Sequence, residues 1–204
     1  MDRLIIIGAG GQGKVAADVA EKTGSYVEIA FLDDGSLSEC LGHPVLGKVA
    51  DAEKYIATHS FFVAIGSAAA RRRVTALLTD LGADIATLIH PSAVIGRGVT
   101  IGRGSILVAG AVVNPCAEIG ESCIINTQSS VDHDCTVGDY VHVSVGAHLT
   151  GTVTVGDDCF IGAGAIVKNN TSISAGCTIG AGAVVVKNID EKGTYVGVPA
   201  KLMV

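Results

Sequence analysis

Residues 113–137 read VNPCAEIGESCIINTQSSVDHDCTV, and an aliphatic residue stands at every sixth position of this stretch, from Val113 to Val137. The same period runs without a break from Ile89 to Val185, and the fourth residue after each aliphatic one is mostly small. No helix has a period of six, whereas six-residue units that each form one side of a coil stack on a shared core. The period therefore predicts a solenoid with about 18 residues per coil and between about five and six coils.

The composition fits a narrow prism better than an ordinary globular core, since only 4% of the residues are aromatic, 27 are glycine and none is tryptophan. This pattern resembles the hexapeptide repeats of the left-handed parallel β-helix. Four of the six cysteines fall on the small inward position, so we expect buried thiols in place of metal ligands or disulfides. They are Cys123, Cys135, Cys159 and Cys177.

Charge and hydropathy exclude several classes of protein. A net charge of -6 disfavours nucleic acid as a partner. The start MDRLIIIGAGG has neither the basic stretch nor the cleavage site of a secretory signal, and no window is long and apolar enough to span a membrane. We therefore expect a cytoplasmic protein without a membrane span.

The residues before the repeat predict a second, different domain. Residues 3–7 form a short apolar strand, followed by a glycine-rich turn and a helical pattern, and two further strands are predicted at 27–32 and 61–65. This order is that of an α/β unit of Rossmann-like βαβ type. We therefore divide the chain into an α/β domain over residues 1–85 and an all-β solenoid over residues 86–204.

The three strand ends of the front domain predict a ligand site. Gly8, Gly10 and Gly13 satisfy the dinucleotide fingerprint, and Asp33-Asp34 follows about 20 residues later, where such folds hold a ribose hydroxyl. The third strand ends at Gly66, so all three ends meet at the carboxyl edge of a parallel sheet. Fewer than ninety residues provide only half of a two-lobed dinucleotide fold, so a mononucleotide moiety is favoured over NAD. The run Arg71-Arg72-Arg73 is interpreted as a solvated face of the following helix.

On the repeat, polar residues concentrate at 126–135, with His133 at the centre. His133 lies between the inward Val131 and Cys135, so its ring should project from the prism. A histidine there can serve as a general base near neutral pH, and an adjacent carboxylate could fix its tautomer. The alternative is an ordinary surface histidine between two solvated loop acids. The histidines and acids show no metal-ligand spacing, so we expect no metal.

Several stretches together carry a family resemblance over nearly the whole chain: the glycine-rich front, FLDDG at 31–35, NTQSSVDHDC at 126–135, VGDYVHVSVGAHLTG at 137–151 and GTYVGVPAK at 193–201. Their combination resembles the NeuD/PglD group of sugar acetyltransferases within the hexapeptide-repeat superfamily. The resemblance implies an N-terminal Rossmann-like domain followed by a left-handed β-helix. It also implies acetyl-CoA as the donor and a nucleotide-linked amino sugar as the acceptor.

The resemblance also implies roles for individual residues. It makes His133 the catalytic base and Asp134, where relatives commonly have Glu, the acid that orients it. Asn126 matches a polar residue near the reacting centre, and Gln12 replaces a His found in some relatives. Residues expected to contact the donor are His142, Gly151, Ala163 and Ala181. Residues expected to contact the sugar nucleotide are Gly10, Gly11, Gln12, Asp33, Asp34, Gly66 and Asn126.

The expected reaction is direct acetyl transfer, with His133 taking a proton from the attacking amine. His133 and His142 are half a coil apart and should face different sides of one prism, so a homotrimer with sites between prisms is expected. The preferred acceptor is a UDP-linked 4-amino-4,6-dideoxy sugar bearing an N-acetyl group, as in bacillosamine synthesis. Alternatives are a GDP-perosamine N-acetyltransferase, a sialic acid O-acetyltransferase, and a non-catalytic β-solenoid that binds a sugar nucleotide.

Overall fold

The computed structural model describes residues 2–203, which form two compact units that divide between Pro91 and Ser92. The first unit is an α/β sandwich and the second is a β-helix, which confirms both fold classes expected from the sequence.

The first unit is built on a six-stranded sheet. In chain order its elements are β1 (Asp2–Ile7), α1 (Gly11–Thr23), β2 (Tyr26–Leu32), β3 (Glu39–Cys40), β4 (His43–Gly47), a 3-10 helix (Val49–Tyr55), β5 (Ser60–Val63), α2 (Ala68–Asp80), β6 (Asp84–Ile85) and β7 (Leu88–Ile89). The sheet order is β3-β4-β2-β1-β5-β6, and all pairs are parallel except β3 with β4.

The central strands of this sheet are apolar without alternation, as expected for strands buried on both faces. Leu4 to Ile7 of β1 are fully buried, and they lie between the buried ends of β2 and β5. Helix α1 ends at Thr23 and is capped by Gly24, which adopts a left-handed conformation with φ 66°. Helix α2 begins after Ser67, whose Oγ accepts the backbone N–H of Ala70 at 3.4 Å. The carboxyl ends of β2, β1 and β5 thus lie side by side, as the sequence predicted.

The second unit consists of short strands at regular intervals. They are β8 (Val94–Ile95), β9 (Thr100–Ile101), β10 (Ile106–Leu107), β11 (Val112–Val113), β12 (Glu118–Ile119), β13 (Ile124–Ile125), β14 (Ser130–Val131), β15 (Thr136–Val137), β16 (His142–Val143), β17 (His148–Leu149), β18 (Thr154–Val155), β19 (Phe160–Ile161), β20 (Ile166–Val167), β21 (Ser172–Ile173), β22 (Thr178–Ile179), β23 (Val184–Val185), β24 (Thr194–Val196) and β25 (Lys201–Leu202). In β8 to β23 the second residue of each strand is the aliphatic one that sets the sequence period.

These strands form three faces. The first face contains β10, β13, β16, β19 and β22, the second contains β8, β11, β14, β17, β20 and β23, and the third contains β9, β12, β15, β18 and β21. Each strand pairs in parallel with the strand that lies 18 residues further along, as in Ile106 with Ile124. The predicted coil of 18 residues is therefore confirmed, and residues 18 apart lie on neighbouring coils.

The turns between the faces share one backbone feature. From Gly98 to Gly182, every sixth residue has a positive φ in the left-handed region. Seven of these fifteen residues are glycine and the others include Asp134, with φ 56°. Gly, Asn and Asp tolerate this conformation best, so their recurrence at this position is a second signature of the coil.

The cysteines behave as the sequence predicted. All four at the small inward position are buried, and none of the six cysteines is in a disulfide. Burial raises the pKa of the Cys159 thiol to about 11, which keeps it protonated at neutral pH. The four thiols therefore fill the core of the β-helix.

Candidate active site

The glycine turn of the first unit is shaped by close backbone packing. Gly8 has φ 100°, and a Cβ on Gly13 would lie 2.1 Å from the carbonyl oxygen of Gly8. No side chain fits at Gly13, so α1 packs directly against the end of β1. At Gly10 and Gly11, by contrast, a Cβ would meet nothing within 4 Å. There is therefore open space beside the start of α1, and no side chain caps the first turn of this helix. An uncapped helix start with room beside it is the arrangement that binds phosphate.

The acidic pair at the end of β2 is held against this turn. Asp33 accepts the backbone N–H of Ala9 at 2.8 Å through Oδ2 and that of Gly35 at 2.7 Å through Oδ1. Asp34 accepts the backbone N–H of Val49 at 3.1 Å. Both carboxylates thus shape the loops of the sheet edge, and a ligand would use the lone pairs that remain.

The end of β5 completes the edge, and here one interpretation from the sequence is wrong. Arg71 is not solvated but only 1% exposed, and its Nη1 donates to the carbonyls of Ile65 at 2.7 Å and Gly66 at 3.0 Å. It lies on the inner side of α2 and ties that helix to the β5–α2 loop. At Gly66 itself a Cβ would meet nothing within 4 Å, so this loop also borders open space.

Gln12 is the second residue of α1 and is partly buried. Its side-chain nitrogen is buried and has no hydrogen-bond partner within residues 2–203. A buried amide donor without an acceptor is costly, and a ligand oxygen is one group that would satisfy it. This orphaned donor, the free start of α1 and the open backbone at Gly66 fit a phosphate-bearing ligand.

The β-helix carries the predicted base at the turn between its second and third faces. His133 Nδ1 and Asp134 Oδ2 are 2.7 Å apart, and the two side chains are 56% and 59% exposed. The hydrogen bond to Asp134 raises the pKa of His133, and the charge of Asp132 adds to the effect. Because Nδ1–H donates to the carboxylate, Nε2 is the basic nitrogen of the neutral ring.

Gly151 lies directly beyond His133 on the next coil. A Cβ at this position would lie 2.5 Å from His133 Nε2 and 2.7 Å from Cε1. The imidazole therefore occupies the space that a side chain would need. The sequence predicted a contact with the donor at Gly151, and the structure places Gly151 against the ring of His133.

Asn126 and His142 are brought together on the first face, away from the turn that carries His133. The backbone N–H of Thr127 donates to Asn126 Oδ1 at 2.8 Å, which directs Nδ2 towards His142 Nε2 at 3.1 Å. Since an amide nitrogen only donates, Nε2 of His142 is the acceptor in this contact. Phe160 packs edge-on against the ring, with centroids 5.1 Å apart. One β-helix therefore presents two separate histidine sites.

Ala163 and Ala181 lie on neighbouring coils at the turn between the first and second faces, where both are exposed. The N–H of Gly182 donates to the carbonyl of Ala163 at 2.8 Å. At Gly146, Gly164 and Gly182 along the same edge, a Cβ would meet nothing within 4 Å. Small side chains and accessible backbone fit a thin, flexible ligand such as a pantetheine arm.

Sequence reasoning missed two polar contacts close to His133. Asn114 Nδ2 donates to Asp132 Oδ1 at 2.7 Å, and Ser130 Oγ lies 2.8 Å from His148 Nδ1. Both pairs are 18 residues apart, so the coil period was the signal that could have found them.

Two classes of feature are absent from the part of the chain that is described. Within residues 2–203, no group of three or more His, Cys, Asp or Glu side chains is placed to hold a metal ion. No helix in the same range has the length and the apolar run that a bilayer span requires.

Comparison with known families matches both parts of the chain. Residues 3–78 match the PglD N-terminal domain, residues 152–187 match the six-repeat bacterial transferase hexapeptide, and residues 91–115 match the hexapeptide repeat of succinyl-transferase. Among curated proteins, the UDP-N-acetylbacillosamine N-acetyltransferase of Bacillus subtilis is 34% identical over 115 residues, which are 53% of this chain. The match spans only about half, 52%, of that relative.

Solved structures match over the full length. The acetyltransferase domain of PglB from Neisseria gonorrhoeae is 40% identical, with 100% of both chains covered and a TM-score of 0.97. The same domain in complex with acetyl coenzyme A is 39% identical over 98% of both chains, with a TM-score of 0.96. PerB from Caulobacter crescentus, in complex with CoA and GDP-perosamine, is 35% identical over 100% of this chain and 98% of its own, with a TM-score of 0.94. With these full-length similarities and the PglD domain joined to hexapeptide repeats, this chain belongs to the PglD family of hexapeptide-repeat acetyltransferases.

Proposed function

We propose that this protein transfers the acetyl group of acetyl-CoA to the 4-amino group of a UDP-linked 4-amino-4,6-dideoxy-N-acetyl sugar, as in bacillosamine synthesis. The name of the Bacillus subtilis relative supports acetyl transfer and this class of acceptor, and that of the Neisseria gonorrhoeae relative supports acetyl transfer. The observation that carries the proposal is the 2.7 Å contact between His133 Nδ1 and Asp134. It leaves Nε2 of an exposed imidazole as a base at the surface of the β-helix.

The chemistry requires such a base. An ammonium ion has no lone pair with which to attack a thioester, so the acceptor must react as the neutral amine, whose nitrogen then loses one proton as the N–C bond forms. His133 Nε2 takes that proton while Asp134 stabilises the imidazolium. Attack on the acetyl carbonyl gives an oxyanion, which backbone N–H groups along the coil edge would stabilise. The oxyanion then collapses, the C–S bond breaks and CoA thiolate leaves, with no acyl-enzyme.

The front domain, over residues 1–85, is proposed to bind the nucleotide part of the acceptor. Gly10, Gly11 and Gln12 would contact phosphate or sugar oxygens at the start of α1. Asp33 and Asp34 would meet the ribose or base with their remaining lone pairs, and Gly66 would border the pocket. Open space at the three glycines and the orphaned donor of Gln12 support this assignment.

The domain over residues 86–204 is proposed to bind acetyl-CoA and to carry the reaction. Ala163 and Ala181 would line the pantetheine arm. His142, which Asn126 contacts at Nε2, would donate its Nδ1–H close to the thioester. Because acetyl-CoA and sugar nucleotides are metabolites of the cytoplasm, we place the reaction there, and it needs no metal.

We also propose a homotrimer with a site between each pair of neighbouring β-helices. The separation of His133 from the Asn126–His142 pair on one chain supports it, since one acceptor cannot use both unless a second copy supplies one of them. The second face also exposes large apolar side chains, with Val94 59% and Ile166 41% exposed. Light scattering that finds an active monomer would refute this arrangement.

A panel of acceptors tests the reaction. CoA release is measured with UDP- and GDP-linked 4-amino sugars and with free sialic acid, for the wild type and for His133→Ala. Turnover of a UDP-linked 4-amino sugar that falls by about 10²- to 10⁴-fold in His133→Ala is the expected result. Unchanged turnover in His133→Ala would refute the role of the base. Turnover of sialic acid alone would move the assignment to O-acetylation.

A second candidate is N-acetylation of GDP-perosamine. PerB, which was solved with that sugar nucleotide, matches this chain almost end to end. The chemistry at the amine is the same, so His133 cannot separate the two acceptors. The panel does, because only the GDP-linked sugar would then be consumed.

A further inference from the structure

We propose that Asn114 and Asp132 are positioning residues for His133, so that the base is held by three successive coils. The proposal rests on the role of His133 proposed above. It concerns how the chain fixes that ring, and the two residues act through His133 without contact to the acceptor.

The geometry begins one coil before the base. Asn114 Nδ2 donates to Asp132 Oδ1 at 2.7 Å, and the same oxygen accepts the backbone N–H of His133 at 2.7 Å. Asn114 and Asp132 are 18 residues apart, so their side chains meet across neighbouring coils. The amide thus anchors a carboxylate that in turn fixes the peptide from which the imidazole projects.

The other two restraints act on the ring itself. Asp134 holds Nδ1 at 2.7 Å, and Gly151 of the next coil leaves room for Nε2 and Cε1 where a Cβ would be. His133 is more than half exposed, so packing alone would leave its rotamer free. Asn114 and Asp132 thus fix the backbone at His133, Asp134 holds the ring, and Gly151 leaves the space for the edge of the ring. Together these restraints favour one orientation of the imidazole. A base must be held to within a fraction of an ångström to work well.

Asp132 also acts through its charge. The hydrogen bonds from the His133 N–H and from Asn114 hold the pKa of Asp132 below its ordinary range, so it is ionised whenever the enzyme works. Its negative charge adds to the effect of Asp134 in raising the pKa of His133. On the coils before and after, the residues at the position of His133 are Pro115 and Gly151, which do not titrate. Asp132 and Asp134 are the two charges that raise the pKa of the ring.

Three variants separate the position of the ring from its charge environment. Asn114→Ala removes the anchor but keeps the carboxylate, so kcat should fall by about 10- to 100-fold with KM nearly unchanged. Asp132→Asn keeps an acceptor oxygen and removes the charge. Its kcat should approach the wild-type value at high pH, while the acidic limb of its pH profile moves to lower pH. Asp132→Ala should show both defects, and Asp132→Asn thus acts as the conservative rescue.

Asp157→Asn is the matched control. Asp157 Oδ1 accepts the N–H of Asp139 across neighbouring coils at 2.9 Å, in the turn between the third and first faces. A general loss of coil stability would appear in this control and in thermal unfolding, with no change in the pH profile.

Wild-type kcat in Asn114→Ala, or an unmoved acidic limb in Asp132→Asn, would overturn the proposal. An equal loss in Asp157→Asn would also overturn it. His133→Ala separates this failure from that of the proposed function. If His133→Ala is inactive while Asn114→Ala is fully active, only the positioning role falls, whereas full activity in His133→Ala removes the base itself.

Discussion

Replacing Gly151 by alanine tests how closely the imidazole of His133 fits against the next coil. The backbone at Gly151 lies outside the left-handed region, so it accepts an alanine without strain. The three atoms nearest to the new methyl group all belong to the ring of His133. The substitution therefore perturbs the proposed base by pushing on its ring, and it leaves the chemistry of the imidazole and of its partner Asp134 unchanged.

The size of the displacement follows from the distances. The new Cβ would lie 2.5 Å from His133 Nε2, whereas ordinary contacts begin near 3.4 Å. The ring must then move by about 0.9 Å, and a displacement of about 1 Å costs on the order of 100-fold in rate. The movement also stretches the 2.7 Å contact with Asp134. We expect kcat to fall by about 100-fold with a small change in KM for either substrate.

The test compares four proteins by steady-state kinetics, with both substrates varied, and by thermal unfolding. The four are the wild type, Gly151→Ala, His133→Ala and the double variant. In the double variant the methyl group no longer meets a ring, so any loss of stability caused by Gly151→Ala should disappear.

Two results would refute this reasoning. A higher KM for acetyl-CoA with unchanged kcat would mean that Gly151 acts on the donor and not on the base. An equal loss of stability with and without His133 would mean that the methyl group clashes with something other than the ring.

Three further predictions test other parts of the structure. Asp134→Asn keeps a residue that tolerates φ 56° but weakens the hydrogen bond that is the main cause of the raised His133 pKa. The acidic limb of the kcat/KM profile should therefore move to lower pH, and kcat should fall at least about tenfold. A pH–rate profile with an unmoved acidic limb would contradict this prediction. Arg71→Met leaves the carbonyls of Ile65 and Gly66 without their charged donor. The free energy of unfolding should therefore fall by about 2–3 kcal/mol, measured by thermal unfolding, and the KM for the sugar nucleotide should rise. An unchanged KM would show that the β5–α2 loop does not depend on the guanidinium. Gly13→Ala places a Cβ 2.1 Å from the carbonyl oxygen of Gly8, so we expect a lower melting temperature or insoluble protein. Soluble protein with the wild-type melting temperature would disprove the close packing of α1.

Local patterns in the sequence were sufficient to predict the β-helix. Each coil repeats the same six-residue unit three times, so the aliphatic period places every strand from β8 to β23. Residues that lie 18 apart must then stack, which makes the Asn114–Asp132 and His133–Gly151 contacts foreseeable as neighbours. The glycine turn of the front domain and the pairing of His133 with Asp134 are likewise local in the chain.

Other features depend on the packed structure. The Arg71–Arg73 run spans most of one helical turn, and residues advance by about 100° each, so composition cannot tell which of the three arginines faces the core. The contact between Asn126 and His142 joins residues 16 apart and depends on the amide orientation that Thr127 sets. The use of Asp33 as an acceptor for Ala9 and Gly35 likewise depends on how the strand ends meet.

The sequence by itself thus determined the coil, the two fold classes and the candidate base. A six-residue period and the neighbouring residues His133 and Asp134 can each be recognised within a short stretch of chain. Tertiary structure alone decided which atoms of these neighbours hold the candidate base, and which carboxylates and arginines instead bind the loops of the front domain. Such contacts depend on rotamers and on the distance between neighbouring coils or helices, and a ring such as that of His133 is directed by several weak restraints at once.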